Sequence, residues 1–208
     1  MRIAIIGAGN VGRTLGLAWA RRGHDVAFGV RDPAAAQARA LLQEQGHISV
    51  LTNREAAQAS EVVVLCTPWE ATQAAIEACR PLAGKALIDC TNPLTPDFSG
   101  LALGFHTSGA EQVAQWAPGT QVFKAMNQIG FSRMDNPQFQ DGTPVMFVCG
   151  DGEKKALVID LVKELGFDTV DAGGLSIARL LEPYAMLWIH LALVQGLGRE
   201  IGFALLRQ

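Results

Sequence analysis

The chain opens on Ile3-Ala4-Ile5-Ile6-Gly7-Ala8-Gly9-Asn10-Val11-Gly12, and this stretch decides the fold. Four apolar residues that read as a buried parallel strand run straight into Gly-x-Gly-x-x-Gly. Arg13 to Arg22 then follow with helical apolar spacing. Gly7 lets the chain turn sharply off the strand, Gly9 lets backbone approach a pyrophosphate, and Gly12 lets helix pack against strand. A diphosphate placed there meets the free N–H groups at the positive end of the helix dipole, so the candidate contacts are Gly7, Ala8, Gly9, Asn10, Val11 and Gly12. The reading is a nucleotide-binding Rossmann unit.

The end of the second strand decides which dinucleotide is held. Asp25 to Arg31 is strand-like, and an NAD site presents an Asp or Glu there for the ribose hydroxyls. This chain has Gly29 where that carboxylate is expected, then Val30 and Arg31. A guanidinium at that point stacks on adenine and pairs with a 2′-phosphate through its planar fork of donors. The expectation is NADP, with Val30 and Arg31 at the adenosine. Asp32 leaves an alternative open, because a turn shifted by one residue gives it to the ribose.

Strand and helix patterns alternate along the remaining chain. Strands are predicted at His47–Leu51, Glu61–Cys66, Lys85–Cys90, Gln121–Met126, Pro144–Cys149 and Phe167–Val170. Helices are predicted at Trp69–Cys79, Gly109–Trp116 and Glu153–Leu165. From Leu175 to Leu206 the pattern is helical and strongly apolar, with a break expected near Pro183 and loosening at Gly196, Gly198 and Gly202. The fold class that follows is α/β, a doubly wound, mostly parallel sheet with a small, mainly helical C-terminal part. Residues 1–150 are expected to form the NADP-binding domain and residues 151–208 the part that takes substrate and dimerises.

Ligands of open α/β sheets bind beyond the carboxyl ends of the strands. That rule adds Thr67 and Pro68, then Thr91, Asn92 and Pro93, then Asn127 and Gln128, as candidates for the ribose and nicotinamide half of the groove. The same residue types are ordinary turn formers, which is the competing reading. Leu94 to Ser108, with one proline and two glycines, is the expected flexible or lid segment.

Composition narrows the function. The chain has 208 residues, is 49% apolar and carries a formal net charge of −3, without the basic balance that nucleic-acid binding needs. No apolar run in the sequence is read as a membrane span, and the N-terminus lacks a signal-peptide pattern, so a cytoplasmic protein that binds neither nucleic acid nor membrane is expected. The four cysteines show no metal spacing. Cys66, Cys90 and Cys149 close apolar strands and read as small buried hydrophobes in a reducing compartment, and no metal site is expected.

With these motifs in hand, the chain resembles the coenzyme F-420 (F420)-dependent NADP oxidoreductases. The resemblance is carried by Met1 to Gly12, Gly29-Val30-Arg31-Asp32-Pro33, Val122 to Asn127, Val148 to Gly152, Asp171 to Ser176, Ala178 to Glu182 and Gly196 to Gly202. The NADP-reductase domain of six-transmembrane metalloreductases is a related pattern, and its acceptor is a flavin. The resemblance implies a Rossmann domain with a C-terminal part completing the cleft, a homodimer, and direct hydride transfer between nicotinamide and a deazaflavin or flavin as second ligand. It also marks departures. Val30 stands where those enzymes carry a serine, Ala35 where they carry a further basic residue, and Asn127 where they carry a histidine beside the deazaflavin.

Hydride transfer asks side chains mainly for placement and exclusion of water. Consistently, Tyr184 is followed four residues later by Trp188, so the Tyr-x-x-x-Lys of short-chain dehydrogenases is missing. His190 reads as a core residue, His106 as a weak proton donor, and Lys124 as packing or a salt bridge; no catalytic acid or base is assigned. The Trp188, Leu191 and Val194 face reads either as a dimer seam or as the roof of the second-ring pocket. Two other functions stay open: a reductase of a small hydroxy acid or cyclic imine, and a non-catalytic NADP sensor.

Overall fold

The computed structural model describes all residues from Met1 to Gln208. Its strands are β1 (Arg2–Ile6), β2 (Asp25–Val30), β3 (His47–Thr52), β4 (Val62–Leu65), β5 (Ala86–Asp89), β6 (Gln121–Lys124), β7 (Val145–Gly150) and β8 (Asp168–Gly173). They form one sheet in the order β3-β2-β1-β4-β5-β6-β7-β8. The first six run parallel, β7 is antiparallel to β6, and β8 is parallel to β7. Val62–Leu65 and Ala86–Asp89 are buried at every residue, as continuous apolar strands covered on both faces must be. Residues beyond 150 supply the last helices together with β8, so the sheet runs on past that point.

Helices α1 (Asn10–Arg21) and α6 (Lys155–Glu164) cover one face. There Leu15, Trp19, Phe28, Val158 and Leu161 share the larger apolar cluster. Helices α3 (Asn53–Ala59), α4 (Trp69–Cys79) and α5 (Gly109–Trp116) cover the other, over Ile6, Ala57, Val63, Ile76 and Val113. A short α2 (Ala36–Arg39) passes into a tight turn over Ala40–Gln43. The patterned strands and helices fall where the spacing places them, to within a few residues. Sequence spacing did not single out α2 and α3; α3 is started by a capping box, Thr52 with Glu55, a local signal legible at that position.

The C-terminal stretch departs from its predicted form in three ways. Pro183 does not break α7 (Ala178–Ile189): it is exposed in the second turn, where its missing N–H removes a single bond while Leu181, Glu182, Ala185 and Trp188 stay packed inward. The helix widens into a π-type turn at His190–Val194 and ends there instead of reaching Leu206. Gly196 and Gly198, at φ +74° and +77°, turn the chain back, with Leu197 N and Gly198 N donating to the Leu191 and Ala192 carbonyls. The last residues then run without regular structure over the body. Trp188 Nε1 donates to the Ile201 carbonyl (2.9 Å), Val145 N to the Phe203 carbonyl (2.9 Å), and Arg207 pairs with Asp168.

Leu175–Val194 also corrects the reading that no run is long and apolar enough to span a membrane. Its 20 residues have a mean hydropathy of 1.4, sufficient by length and composition alone. Within this chain it instead packs against the sheet, where Glu182 is 1% exposed. His190, expected in the core, is exposed because it shares the outward face of the helix with Leu187 and Val194, while Ala192 beyond it stays buried; the buried histidine is His24, which meets Glu164 at 2.7 Å.

The tightest contact in the fold lies where α1 starts. A Cβ at Gly12 would sit 1.9 Å from the Gly7 carbonyl oxygen and 3.0 Å from Ile5 Cγ2. Because the first obstacle is backbone, it cannot swing aside. Gly12→Ala is therefore expected to destabilise by about 2–3 kcal/mol and lower Tm by about 5–10 °C, measured by thermal denaturation; an unchanged Tm contradicts the packing described.

Candidate active site

The sheet order places the sequence candidates in a line. Reading across β2, β1, β4, β5 and β6, the carboxyl ends carry Val30 and Arg31, then Gly7 to Gly12, then Thr67 and Pro68, then Asn92 and Pro93, then Asn127. Five neighbouring strand ends at about 4.8 Å spacing make a groove about 19 Å long.

Gly7 has φ +100°, and a Cβ there would lie 2.8 Å from the Cys66 carbonyl oxygen, so no other residue fits the first turn. Gly9 is the N-cap of α1 and is open: nothing lies within 4 Å of the position its Cβ would take. No side chain caps α1 and its first turn holds no acidic residue, which leaves the N–H groups of Asn10, Val11 and Gly12 for an anion. Ala8 and Val11 are half-buried beneath them.

At the β2 end, Arg31 is exposed and enters none of the ion pairs of the chain. Asp32 is engaged in its own turn, its Oδ1 accepting from Ala34 N at 2.9 Å and its carbonyl from Ala35 N. Val30 is half-buried and apolar, offering nothing to a ribose hydroxyl. These features fit an adenosine 2′-phosphate beside Arg31 and a diphosphate on α1.

The β4, β5 and β6 ends are tied to one another. Thr67 Oγ1 meets Thr72 Oγ1 at 3.0 Å, and Thr72 donates to the carbonyl of Pro68, the N-cap of α4. Asn92 Nδ2 donates to the Asn127 carbonyl (3.1 Å), and Asn127 Nδ2 donates to Asn92 Oδ1 (3.0 Å). Asn127 Oδ1 accepts from Gln128 Nε2, and Gln128 pairs with the Phe147 backbone in both directions. Asn127 is 6% exposed and its amide is largely spent inside the protein, whereas Asn92 is half-buried at the groove edge. The strand expected to reach Met126 stops at Lys124, because Met126 adopts φ +61° and turns the chain toward Asn127.

Beneath this floor lies a cluster that sequence reasoning did not assemble. Lys124 is fully buried, with Nζ 2.8 Å from Asp89 Oδ2, 2.8 Å from Glu182 Oε1 and 2.6 Å from the Thr91 carbonyl. Burial opposes its charge, but the Asp89 and Glu182 carboxylates outweigh that and hold its pKa above the usual lysine range. It is a permanent ammonium with its three donor directions used, as the salt-bridge reading expects. The visible signal was a pair of opposite charges at the ends of neighbouring apolar strands; Glu182, almost sixty residues on, gave none.

The buried thiols and the tyrosine are held in their protonated forms. Burial pushes Cys79 and Cys149 up to about 12 and Cys90 well above its ordinary value, with the Cys66 thiol adding to the last. Tyr184 is pushed up to about 12 by burial. Cys79, Cys90 and Cys149 are buried, and His106 is exposed on the segment after β5.

Comparison with known proteins gives a consistent set of likenesses. The family described as "NADP oxidoreductase coenzyme F420-dependent" matches residues 2–93. The F420-dependent NADP reductase of Methanothermobacter marburgensis is 32% identical over 210 residues, covering 92% of each chain. Metalloreductase STEAP3 of Rattus norvegicus is 30% identical over 183 residues, which span 87% of this chain and 36% of that one. A solved structure from Arthrobacter sp. FB24, provisionally assigned as an F420-dependent NADP reductase, superposes with a TM-score of 0.91 at 32% identity and full coverage of both chains.

One ion pair outside the groove makes the stability of the fold pH-dependent. Glu111, in the first turn of α5, is gripped by Arg179 Nε and a terminal nitrogen at 2.9 and 2.7 Å and by Ser108. The Arg179 hydrogen bonds hold its carboxyl below the usual range. A lowered carboxyl contributes stability that is present above its unfolded pKa of about 4.3 and lost as pH falls through the folded value. Glu111→Gln is thus expected to melt a few degrees lower than the unmodified chain at pH 7, with the gap closing below about pH 4. A gap independent of pH contradicts this.

Proposed function

The chain belongs to the coenzyme F420-dependent NADP oxidoreductase family, and we infer that its groove works as an NADP(H) site passing hydride to or from the deazaflavin F420. The single observation that carries the residue assignment is the pairing of an uncapped α1 N-terminus with an uncommitted Arg31 at the end of the adjacent strand, matched to a diphosphate and a 2′-phosphate. When bound, NADPH supplies the hydride and F420 accepts it, or the reverse.

The chain's own residues then have the following tasks. Gly7 to Gly12 hold the diphosphate on backbone N–H groups, Arg31 takes the 2′-phosphate, and Val30 backs the ribose. Thr67, Pro68, Asn92 and Pro93 line the nicotinamide half. Asn127 acts one layer down, fixing the Asn92 amide against β6. Residues 1–150 hold the dinucleotide, and residues 151–208 complete the acceptor side and the dimer.

We further infer a homodimer working in the cytoplasm. The support is a stripe of exposed apolar side chains, Leu180, Leu187 and Val194, spaced seven apart along the last helix and flanked by Leu193 and Leu197. A stripe of that kind suits a second helix more than it suits water.

Titrating the protein with NADPH and NADH, then assaying turnover with coenzyme F420, FMN, FAD and cyclic imines, tests the reading. Turnover of F420 is the expected result; turnover of imines alone, or tight NADPH binding without any turnover, overturns it. Arg31→Ala is expected to weaken NADPH by about 10–100-fold, the worth of charge-assisted hydrogen bonds to the 2′-phosphate, and NADH by less than about threefold. Equal losses place the phosphate contact elsewhere.

A further inference from the structure

The segment between Pro93 and Gly109 has both of its feet on one buried ammonium. At the outgoing foot, Lys124 Nζ holds the Thr91 carbonyl and Asp89 Oδ2, while Asp89 Oδ1 accepts from Thr91 N (2.9 Å) and Oγ1 (2.7 Å). At the returning foot, Glu182, bonded to the same Nζ, accepts from Gly109 N (2.8 Å) and Ala110 N (3.0 Å) at the start of α5. The feet also touch. A Cβ at Gly109 would lie 3.2 Å from Pro93 Cδ and 3.2 Å from Trp69 Cζ3, at the start of α4. Both ends of the segment therefore stand at the nicotinamide end of the groove.

Between the feet the segment has a tied part and a loose part. Leu94 bridges to Leu101, and Ala102 N donates to the Pro93 carbonyl at 2.7 Å. Thr95 N bonds the Gly100 carbonyl, and Gly100 N bonds Thr95 Oγ1. Thr95 and Ser99 both donate to Asp97, which holds its carboxyl down at about 2. This knot presents Phe98, 60% exposed at φ +58°. From Leu103 to Thr107 one backbone bond remains, His106 N to the Gly104 carbonyl. That loose part carries Phe105, 93% exposed at φ +56°.

Left-handed backbone is unusual for a bulky residue, and held strain of this kind clusters at ligand clamps. A phenyl ring standing in water has no partner within the chain. The partner its shape fits is a flat heteroaromatic ring entering the groove, against which it packs offset-stacked or edge-on while excluding water. We propose that residues 94–108 are a flap hinged on the Lys124–Asp89–Glu182 post, and that Phe105 is the residue covering the hydride-acceptor ring in the filled groove. The proposal rests on the dinucleotide reading given above. It adds a covering side chain and a positioning unit to it: Lys124 and Glu182 act through the feet and touch neither ligand.

Calorimetric titration with NADP⁺ comes first: no affinity overturns the reading of the groove, whereas affinity without a flap response overturns the flap alone. The flap response is chymotrypsin cleavage after Phe98 and Phe105, compared in the apo protein and in the non-reacting mixture of NADP⁺ with oxidised F420. Cleavage is expected to slow by about tenfold with both ligands present, and an unchanged rate overturns closure. Phe105→Ala is expected to raise the F420 KM by about tenfold, while NADP⁺ affinity moves by less than about twofold. An unchanged KM removes Phe105 from the site.

For the post, Glu182→Gln is expected to erase the ligand-dependent slowing of cleavage while calorimetric NADP⁺ binding persists. Should that variant fail to fold, Thr91→Val deletes the hydroxyl that bonds Asp89 at the other foot with little change of shape. Full ligand protection in whichever variant folds overturns the hinge.

Discussion

Lys124 Nζ joins three parts of the chain that are remote in sequence: the end of β5, the end of β6 and the second turn of α7. Taking three ionised groups out of water costs several kcal/mol for each, and their mutual attraction offsets this only when every donor and lone pair is satisfied. Here the ammonium has three acceptors, and the surplus negative charge of two carboxylates is met by the N–H groups of Thr91, Gly109 and Ala110. Gly109 and Ala110 begin α5, so its dipole contributes in the same sense. An apolar replacement of the trio is not disfavoured on stability grounds alone. What hydrophobic contacts lack is direction. The charges fix the rotation of α7 and the path of the chain leaving β5 to within hydrogen-bond tolerance, and a groove that must align two rings needs that.

The reversal of strand direction after β6 gives the two ends of the groove different characters. Along β2, β1 and β4 the parallel strands deliver turn after turn to one edge, which presents backbone N–H groups and one guanidinium. At β6 the regular pattern stops. Met126 turns left-handed, Asn127 and Gln128 are drawn inward, and β7 returns antiparallel. No further parallel strand end follows, so whatever covers the nicotinamide end must come from outside the sheet. The segment after β5 and the C-terminal helix are the pieces positioned to supply it.

The legible part of this structure was local. Ile3 to Gly12 reads as strand, turn and helix because each step is enforced by neighbours within a few residues, and the buried strands read as unbroken apolar runs. The roles of Arg31 and Asp32 were half legible. Residue type suggested the phosphate, but only the Asx turn at Asp32 shows that its carboxylate is engaged elsewhere. Pro183 misled because a proline's effect depends on whether the helix around it is held by tertiary packing, and Leu181, Ala185 and Trp188 hold this one. His190 misled for the same reason in reverse: an apolar neighbourhood in sequence is not burial when the residue lies on the outward face of the helix, as Leu187 and Val194 also do. Glu182 was silent because one glutamate in an apolar helix acquires meaning only from Lys124, whose position the sequence leaves undetermined.

The inward consumption of polar groups bears directly on the chemistry. Thr72, Asp89, Thr91, Lys124, Asn127, Gln128 and Glu182 are all buried, and each is bonded to another part of the protein. A reaction needing a general acid or base would require one of them to stay uncommitted and poised near neutrality. Instead they build a stiff floor, and the groups left facing the groove are backbone N–H donors, Arg31, the free side of Asn92 and the segment after β5. Such a surface does little to a bond by itself. It suits a transfer in which the reactive atoms belong to the two ligands, and in which the protein contributes by holding ring against ring and keeping water out.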